Sequence, residues 1–174
     1  MIKEKFLSIE LLIVVLSSLM VVFPSVTYSQ VTLDVGDGSG IPGSSENPVG
    51  VNLENLNDKI KGISVDICDV GNYLTCMGCD TTGRTPGFIC STNELANGCV
   101  RVLLFSTQGG SIEEGSGPIF TLKYDISGGA PSAGCREINP EEVSVAGEDG
   151  DPLQAPAILE SGEFCFLDCV NDED

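Results

Sequence analysis

From Val31 onward the chain is built of short runs in which apolar and polar residues alternate, cut at close intervals by clusters of glycine and proline. This is the feature that most limits the possible folds. A period of two puts alternate side chains on opposite faces of a strand, whereas a helix needs a period near 3.6, which is nearly absent here. Val31, Leu33 and Val35 alternate with Thr32 and Asp34; Val49, Val51 and Leu53 with Gly50 and Asn52; Ile63, Val65 and Ile67 with Ser64 and Asp66. Phe120, Leu122, Tyr124 and Ile126 form a fourth such set, against Thr121, Lys123 and Asp125. Val143 and Val145 predict a short strand, and Phe164 and Phe166 a last one. The run Cys99 to Ser106 (CVRVLLFS) is almost uniformly apolar, which predicts a central strand covered on both faces. Turn-forming clusters separate these runs at Gly36–Gly43, Gly83–Gly87, Gly109–Pro118, Gly128–Gly134 and Gly147–Pro152. Many short strands with this punctuation predict one all-β domain, a sandwich or barrel of about eight or nine strands.

The first 29 residues follow a different logic. Lys3 and Lys5 precede an uncharged, largely apolar stretch of 13 residues, Leu11 to Phe23, and Pro24 follows. A membrane-spanning helix needs about 20 such residues, and a secretory signal core about 7–15. Thr27-Tyr28-Ser29 supplies small side chains at the first and third positions before a cut ahead of Gln30. Residues 1–29 therefore read as a signal peptide, 30–170 as the domain and 171–174 as an acidic tail. The expected location is extracellular, cell-surface or periplasmic, with no membrane insertion of the mature chain. An uncleaved anchor is the plainer alternative. The run Phe6 to Val15 also resembles the leader of type IV pilins, with Glu10 in place of their charged residue, but Lys5 stands where that cleavage site has glycine.

Charge and composition exclude several functions. Acids outnumber bases 26 to 8, a net charge of -18, and removal of residues 1–29 leaves 24 acids and 6 bases. Such a balance opposes binding to nucleic acid, which needs clustered Lys and Arg. It predicts salt-dependent attraction to basic partners. There is no His, and neither a G-x-S-x-G elbow nor a phosphate-binding loop is present. A pair of carboxylates can hydrolyse glycosides, but with so many acids some close pair is inevitable. We expect no enzymatic activity, no cofactor and no catalytic residues.

All eight cysteines, Cys68, Cys76, Cys79, Cys90, Cys99, Cys135, Cys165 and Cys169, lie in the mature part. Export and an even count predict structural disulfides, with 105 possible pairings. Cys135 with Cys165 is the pairing favoured in the C-terminal third. Cys76-Met77-Gly78-Cys79 has the C-x-x-C form of zinc ribbons and redox enzymes, but the gaps that follow do not repeat it, and no βαβ setting surrounds it. The bonds would staple the segment Cys68–Cys99, expected to be long and irregular. Two acidic glycine turns, Asp34–Gly38 and Glu148–Asp151, have donors that suit calcium, but neither completes an EF-hand loop. Solvated turns are the plainer reading.

The order of segments carries a resemblance. VTLDVGDGSG leads to Pro48–Asn55, then Ile60–Asp69 (IKGISVDICD), CVRVLLFS, Gly115–Ile126 (GSGPIFTLKYDI) and Gly162–Phe166 (GEFCF). This order resembles the cohesin-like family of secreted β-sandwich modules, over essentially the whole mature chain. Ile60-Lys61-Gly62-Ile63 and the Gly115-x-Gly117-Pro118-Ile119 turn are its most telling motifs. The resemblance implies a nine-stranded jelly roll, related in fold to bacterial carbohydrate-binding modules. It also implies binding of a dockerin, a small calcium-loaded helical domain, through one face of the sandwich, so that calcium would enter through the partner. The cysteine-rich segment with Thr81-Thr82-Gly83-Arg84-Thr85 marks a distinct variety, of a kind found in bacteria without cellulosomes. The expected function is a secreted, non-catalytic binding module in extracellular assembly or polysaccharide degradation. Direct binding of a polysaccharide, and a structural envelope or adhesion role, are the alternatives. Phe120, Tyr124, Phe164 and Phe166 are expected in the core, which leaves few aromatic rings for a sugar platform.

Overall fold

The computed structural model describes residues 30–153 and 157–168. The expected leader, the acidic tail and Cys169 lie outside the described residues. Within them the chain forms eleven strands: β1 (Thr32–Val35), β2 (Gly38–Gly40), β3 (Asn47–Asn55), β4 (Ile60–Asp69), β5 (Leu74–Thr81), β6 (Phe88–Glu94), β7 (Val100–Ser106), β8 (Gly115–Ile126), β9 (Gly134–Gly147), β10 (Ile158–Glu160) and β11 (Gly162–Phe166). Two sheets face each other, a five-stranded one ordered β10-β1-β3-β8-β5 and a six-stranded one ordered β2-β11-β9-β4-β7-β6. This is the sandwich that the alternation allowed and the jelly roll that the resemblance implied.

The inner faces are the apolar halves of the alternating runs. Leu33, Val49, Val51 and Leu53 pack with Phe120 and Leu122 on one side, and Val65, Ile67, Val102, Ile138 and Phe164 on the other, all nearly inaccessible to solvent. The two ends of the domain meet in parallel pairs, β1 with β10 and β2 with β11. Gly162 allows this closure, because a Cβ there would press on the carbonyls of Val35 and Gly36.

Three expectations about strands need correction. The strand number is eleven because the three-residue β2 and β10 are too short to show alternation. The segment Cys68–Cys99 is not irregular. It holds β5 and β6, whose inner positions are filled partly by cysteine rather than by aliphatic residues, so the apolar period is muted. The short strand at Val143 and Val145 is the end of the fourteen-residue β9, whose first half carries polar residues that interrupt the alternation.

Three disulfides occur among the described residues. Cys135–Cys165 joins directly opposed residues of β9 and β11. Cys68–Cys99 joins the end of β4 to the residue before β7. Cys79–Cys90 differs in kind, since it links β5, the edge of one sheet, to β6, the edge of the other. Its geometry depends on a bulge. Met77 is an extra residue between the pairs Cys76–Tyr124 and Gly78–Lys123, with Gly78 at φ +146°. Residues three apart on a regular strand face opposite ways, but this insertion turns both Cys76 and Cys79 inward. Met77 points out and is exposed. Among the described residues Cys76 has no disulfide partner. Its thiol contacts the carbonyl of Gly78 at 3.6 Å, and burial pushes its pKa up. The turn between β5 and β6 is locked onto β8 and β3. Thr85 Oγ1 donates to the carbonyl of Ile119 at 2.7 Å and Thr82 Oγ1 to that of Pro118 at 2.6 Å. The Arg84 guanidinium donates to the carbonyls of Leu53 and Glu113 and to Asn55 Oδ1.

Two outcomes follow from this packing. Cys79→Ser with Cys90→Ser frees a loop of about 12 residues, and chain entropy sets the loss near 3 kcal/mol, readable by denaturant titration of the oxidised protein. Hydrogen exchange should quicken first at the β6 edge. Tyr124 is buried in the core, and burial, then the charges of Cys76 and Asp69, push its pKa well up. The unfolded chain releases this proton near pH 10, below the folded one. Its contribution to stability is therefore complete below about pH 10 and is lost as pH rises above it. In an alkaline titration, Tyr124 absorbance at the phenolate band should appear only together with loss of the β-sheet circular dichroism signal.

Candidate functional site

The outer faces of the two sheets are chemically unlike. That of the five-stranded sheet is mainly polar, with exposed apolar residues only on its edge strands, Met77 of β5 and Ile158 and Leu159 of β10; a groove of about 230 Å³ is lined by Thr32, Asp34, Asn52, Glu54, Ser116 and Glu160, among others. Asn52 Nδ2 there donates to Asp34 Oδ2 at 3.0 Å. The outer face of the six-stranded sheet carries exposed apolar side chains on adjacent strands. Leu103, Phe105 and Ile89 are 43%, 41% and 44% accessible, while Leu104 between the first two is 1% accessible.

Register places these residues in rows across β6, β7, β4 and β9. Ile89 lies opposite Phe105, Phe105 opposite Gly62, and Gly62 opposite Ala146. One rung on, Ser91, Leu103, Ser64 and Ser144 follow each other. The next rung is charged: Asn93, Arg101, Asp66 and Glu141. The Cys68–Cys99 bond lies beyond it. Small residues on β4 and β9 beside large ones on β7 leave a shallow depression of about 310 Å³, lined by Gly62, Ser64, Leu103, Phe105, Ser144 and Ala146 among others. The face thus runs from apolar, through hydroxyl-bearing, to acidic.

The charged rung is held in place. Asp66 is buried, and Arg101 Nε and Nη2 donate to its two carboxylate oxygens at 2.6 Å each. Arg101 Nη2 also donates to Glu142 Oε2 at 3.2 Å. These bonds, with Asp66 first, raise the pKa of Arg101 further, so the guanidinium stays charged. Glu142 adopts φ +42° in a β9 bulge opposite the step from Ser64 to Asp66. Bulges and left-handed non-glycine residues re-aim side chains next to binding sites.

The uniformly apolar run Cys99–Ser106 is corrected here. β7 is next to the sheet edge and its outer side is bare, so Leu103 and Phe105 face solvent rather than a second layer. The sequence signal was present: a strand apolar on both faces needs either a second cover or a partner. The outer set interrupted by Arg101, beside a β6 whose outer positions include Ser91 and Asn93, is uncovered among the described residues.

The other candidate residues are placed as follows. Cys68, Cys79, Cys90, Cys99, Cys135 and Cys165 are all in disulfides. Two clusters of possible ligand atoms occur among the described residues, Cys68, Cys99 and Glu141, and Cys135, Glu163 and Cys165. In each the two sulfurs are bonded to each other and offer no thiolate. Asp34 and Asp37, of the first acidic turn, accept hydrogen bonds from Asn52 and from the backbone of Glu163. The second turn, at Glu148–Asp151, is closed by backbone bonds between Gly147 and Asp151. Phe120, Tyr124, Phe164 and Phe166 are in the core, and Tyr73 packs edge-on against Phe166. Among the described aromatic residues only Phe105 is exposed.

No family model matches the sequence, and no curated protein matches it. Solved structures do. The OlpA cohesin of Clostridium thermocellum, solved in complex with a dockerin, is 18% identical with a TM-score of 0.63, over 79% of this chain and 99% of that one. The CaCohA2 cohesin of Clostridium acetobutylicum is 21% identical with a TM-score of 0.62, over 82% and 94%. A non-cellulosomal cohesin of the archaeon Archaeoglobus fulgidus is 16% identical with a TM-score of 0.60, over 80% and 92%. The two-sheet topology and these matches agree: the chain has the fold of cohesin domains.

Proposed function

We propose that this chain is an exported, non-catalytic binding module that docks a dockerin-like protein on the outer face of the β9-β4-β7-β6 region. The observation that carries the reading is the contiguous apolar patch of Leu103, Phe105 and Ile89, exposed on paired strands beside a shallow depression. Solitary exposed apolar residues are ordinary, but adjacent ones on a rigid sheet mark an interaction surface. Covering these half-exposed side chains contributes about 1 kcal/mol each. The hydroxyls of Ser64, Ser91 and Ser144 in the next rung provide hydrogen bonds that orient a partner. Solved relatives of this fold include cohesins in complex with dockerins, which supports the partner class. The scarcity of exposed rings speaks for protein over sugar.

The test uses oxidised protein of residues 30–174, the product of a cut after Ser29. It is titrated by calorimetry with each dockerin module encoded in the source genome, with calcium and with chelator. The expected result is calcium-dependent binding of at least one. Leu103→Asp should weaken it at least 100-fold, because it places a carboxylate in a desolvated contact. Its melting temperature should stay within about 2 °C of the parent, as expected for a surface change. Absence of binding to every dockerin overturns the proposal, and retention on insoluble polysaccharide would then assign the face to a glycan.

A further inference from the structure

The acidic rung beside the apolar patch says what the partner must carry. We infer that the partner presents a basic side chain, Lys or Arg, against Glu141 and Glu142 while its apolar ridge covers Leu103 and Phe105. This inference rests on the docking face proposed above and adds its polarity.

Arg101 is the one base on the three rungs; it bonds Asp66 and Glu142, and a third carboxylate, Glu141, lies across from Asp66. Asp66 consumes two of the guanidinium's donors in a two-point pair at 2.6 Å. Glu142 holds a longer bond at 3.2 Å and is largely exposed, with its side chain 75% accessible. Glu141 is exposed and is not in an ion pair among the described residues. The rung therefore keeps a surplus of two negative charges, one rung beyond that of Leu103. A partner seated on Leu103 and Phe105 takes water from these carboxylates. Desolvating them without a counter-charge opposes binding, whereas a Lys or Arg offsets the loss and fixes the partner's direction along the gradient. The bulge that holds Glu142 at φ +42° aims this carboxylate over the face.

Net charge acts in the same sense but is not local. The whole chain, at -18, attracts any basic protein. The experiment must separate the two effects. The probe is the dockerin bound in the preceding test, measured for association and dissociation rates in 50 and 500 mM NaCl. Glu141→Lys with Glu142→Lys is compared with Glu54→Lys and Glu160→Lys, an equal change in net charge on the outer face of the other sheet, where both glutamates are exposed. The expected result is at least a 30-fold loss of affinity for the first variant, mostly in the association rate, and less than a 3-fold loss for the second. High salt should narrow the difference. Glu141→Gln with Glu142→Gln, which removes the charge without reversing it, should give a smaller loss in the same direction. Equal effects of the two reversals, or no effect of either, overturn the inference while leaving docking at Leu103 intact. If no dockerin binds the parent protein, both readings fall together.

Discussion

The bond between Cys79 and Cys90 is the constraint on which the exposed apolar side of this molecule depends. A sandwich is held mainly by its core, yet each sheet has edges, and β5 and β6 are the edges that meet here. Edge strands lose pairing on one side and are the first part of a sheet to open. β6 supports β7, and β7 carries Leu103 and Phe105. A clip from β5 to β6 therefore fixes the platform under the exposed patch, at a place with few large aliphatic side chains to do so. The β5–β6 turn adds to it. Thr82, Arg84 and Thr85 bind carbonyls of β8 and β3, which ties the hairpin-like arm back to the opposite sheet.

Much of this was legible in the sequence, because a buried sheet face imposes its period on the residues. Val31 to Val35, Val49 to Leu53, Ile63 to Ile67 and Phe120 to Ile126 each show one apolar half, and each half is in the core. What escaped was structure whose stabilisation is not aliphatic burial. β5 and β6 are covalently fastened and hydrogen-bonded at their turn, so their inner positions tolerate Cys76, Cys79, Cys90 and Thr92. The inward direction of both Cys76 and Cys79 could not be read from C-x-x-C at all. It depends on the Met77 bulge, which is a property of pairing with β8. β2 and β10 are strands only because the ends of the domain pair with each other, which is a long-range event with no local signature.

The proposed docking face was half legible. The apolar excess of CVRVLLFS was plain, but its meaning turns on what lies outside the strand. Two layers of cover and one bare face give the same local composition. Topology decides, since β7 is second from the edge and no element of the described chain crosses its outer side. The rows of Gly62, Ser64, Ser144 and Ala146 could not be assembled without register, as they come from strands some 80 residues apart. Their small size matters only when seen beside Leu103 and Phe105, where it makes a depression rather than a ridge.

An exposed apolar strand face carries a hazard, because two copies can bury it against each other. The acidic charge of this chain answers that hazard in physical terms. Two molecules at -18 repel at long range, and the charged rung of Asp66, Glu141 and Glu142 would meet its own likeness or its neighbour's acids in most face-to-face arrangements. Like charges in a desolvated contact cost more than the half-exposed Leu103 and Phe105 return. The same charges that oppose self-association favour a partner of opposite sign, so the patch can remain uncovered within one molecule and still be selective between molecules. On the proposed reading, apolar contact supplies the affinity and the acidic rung decides which surfaces are admitted to it.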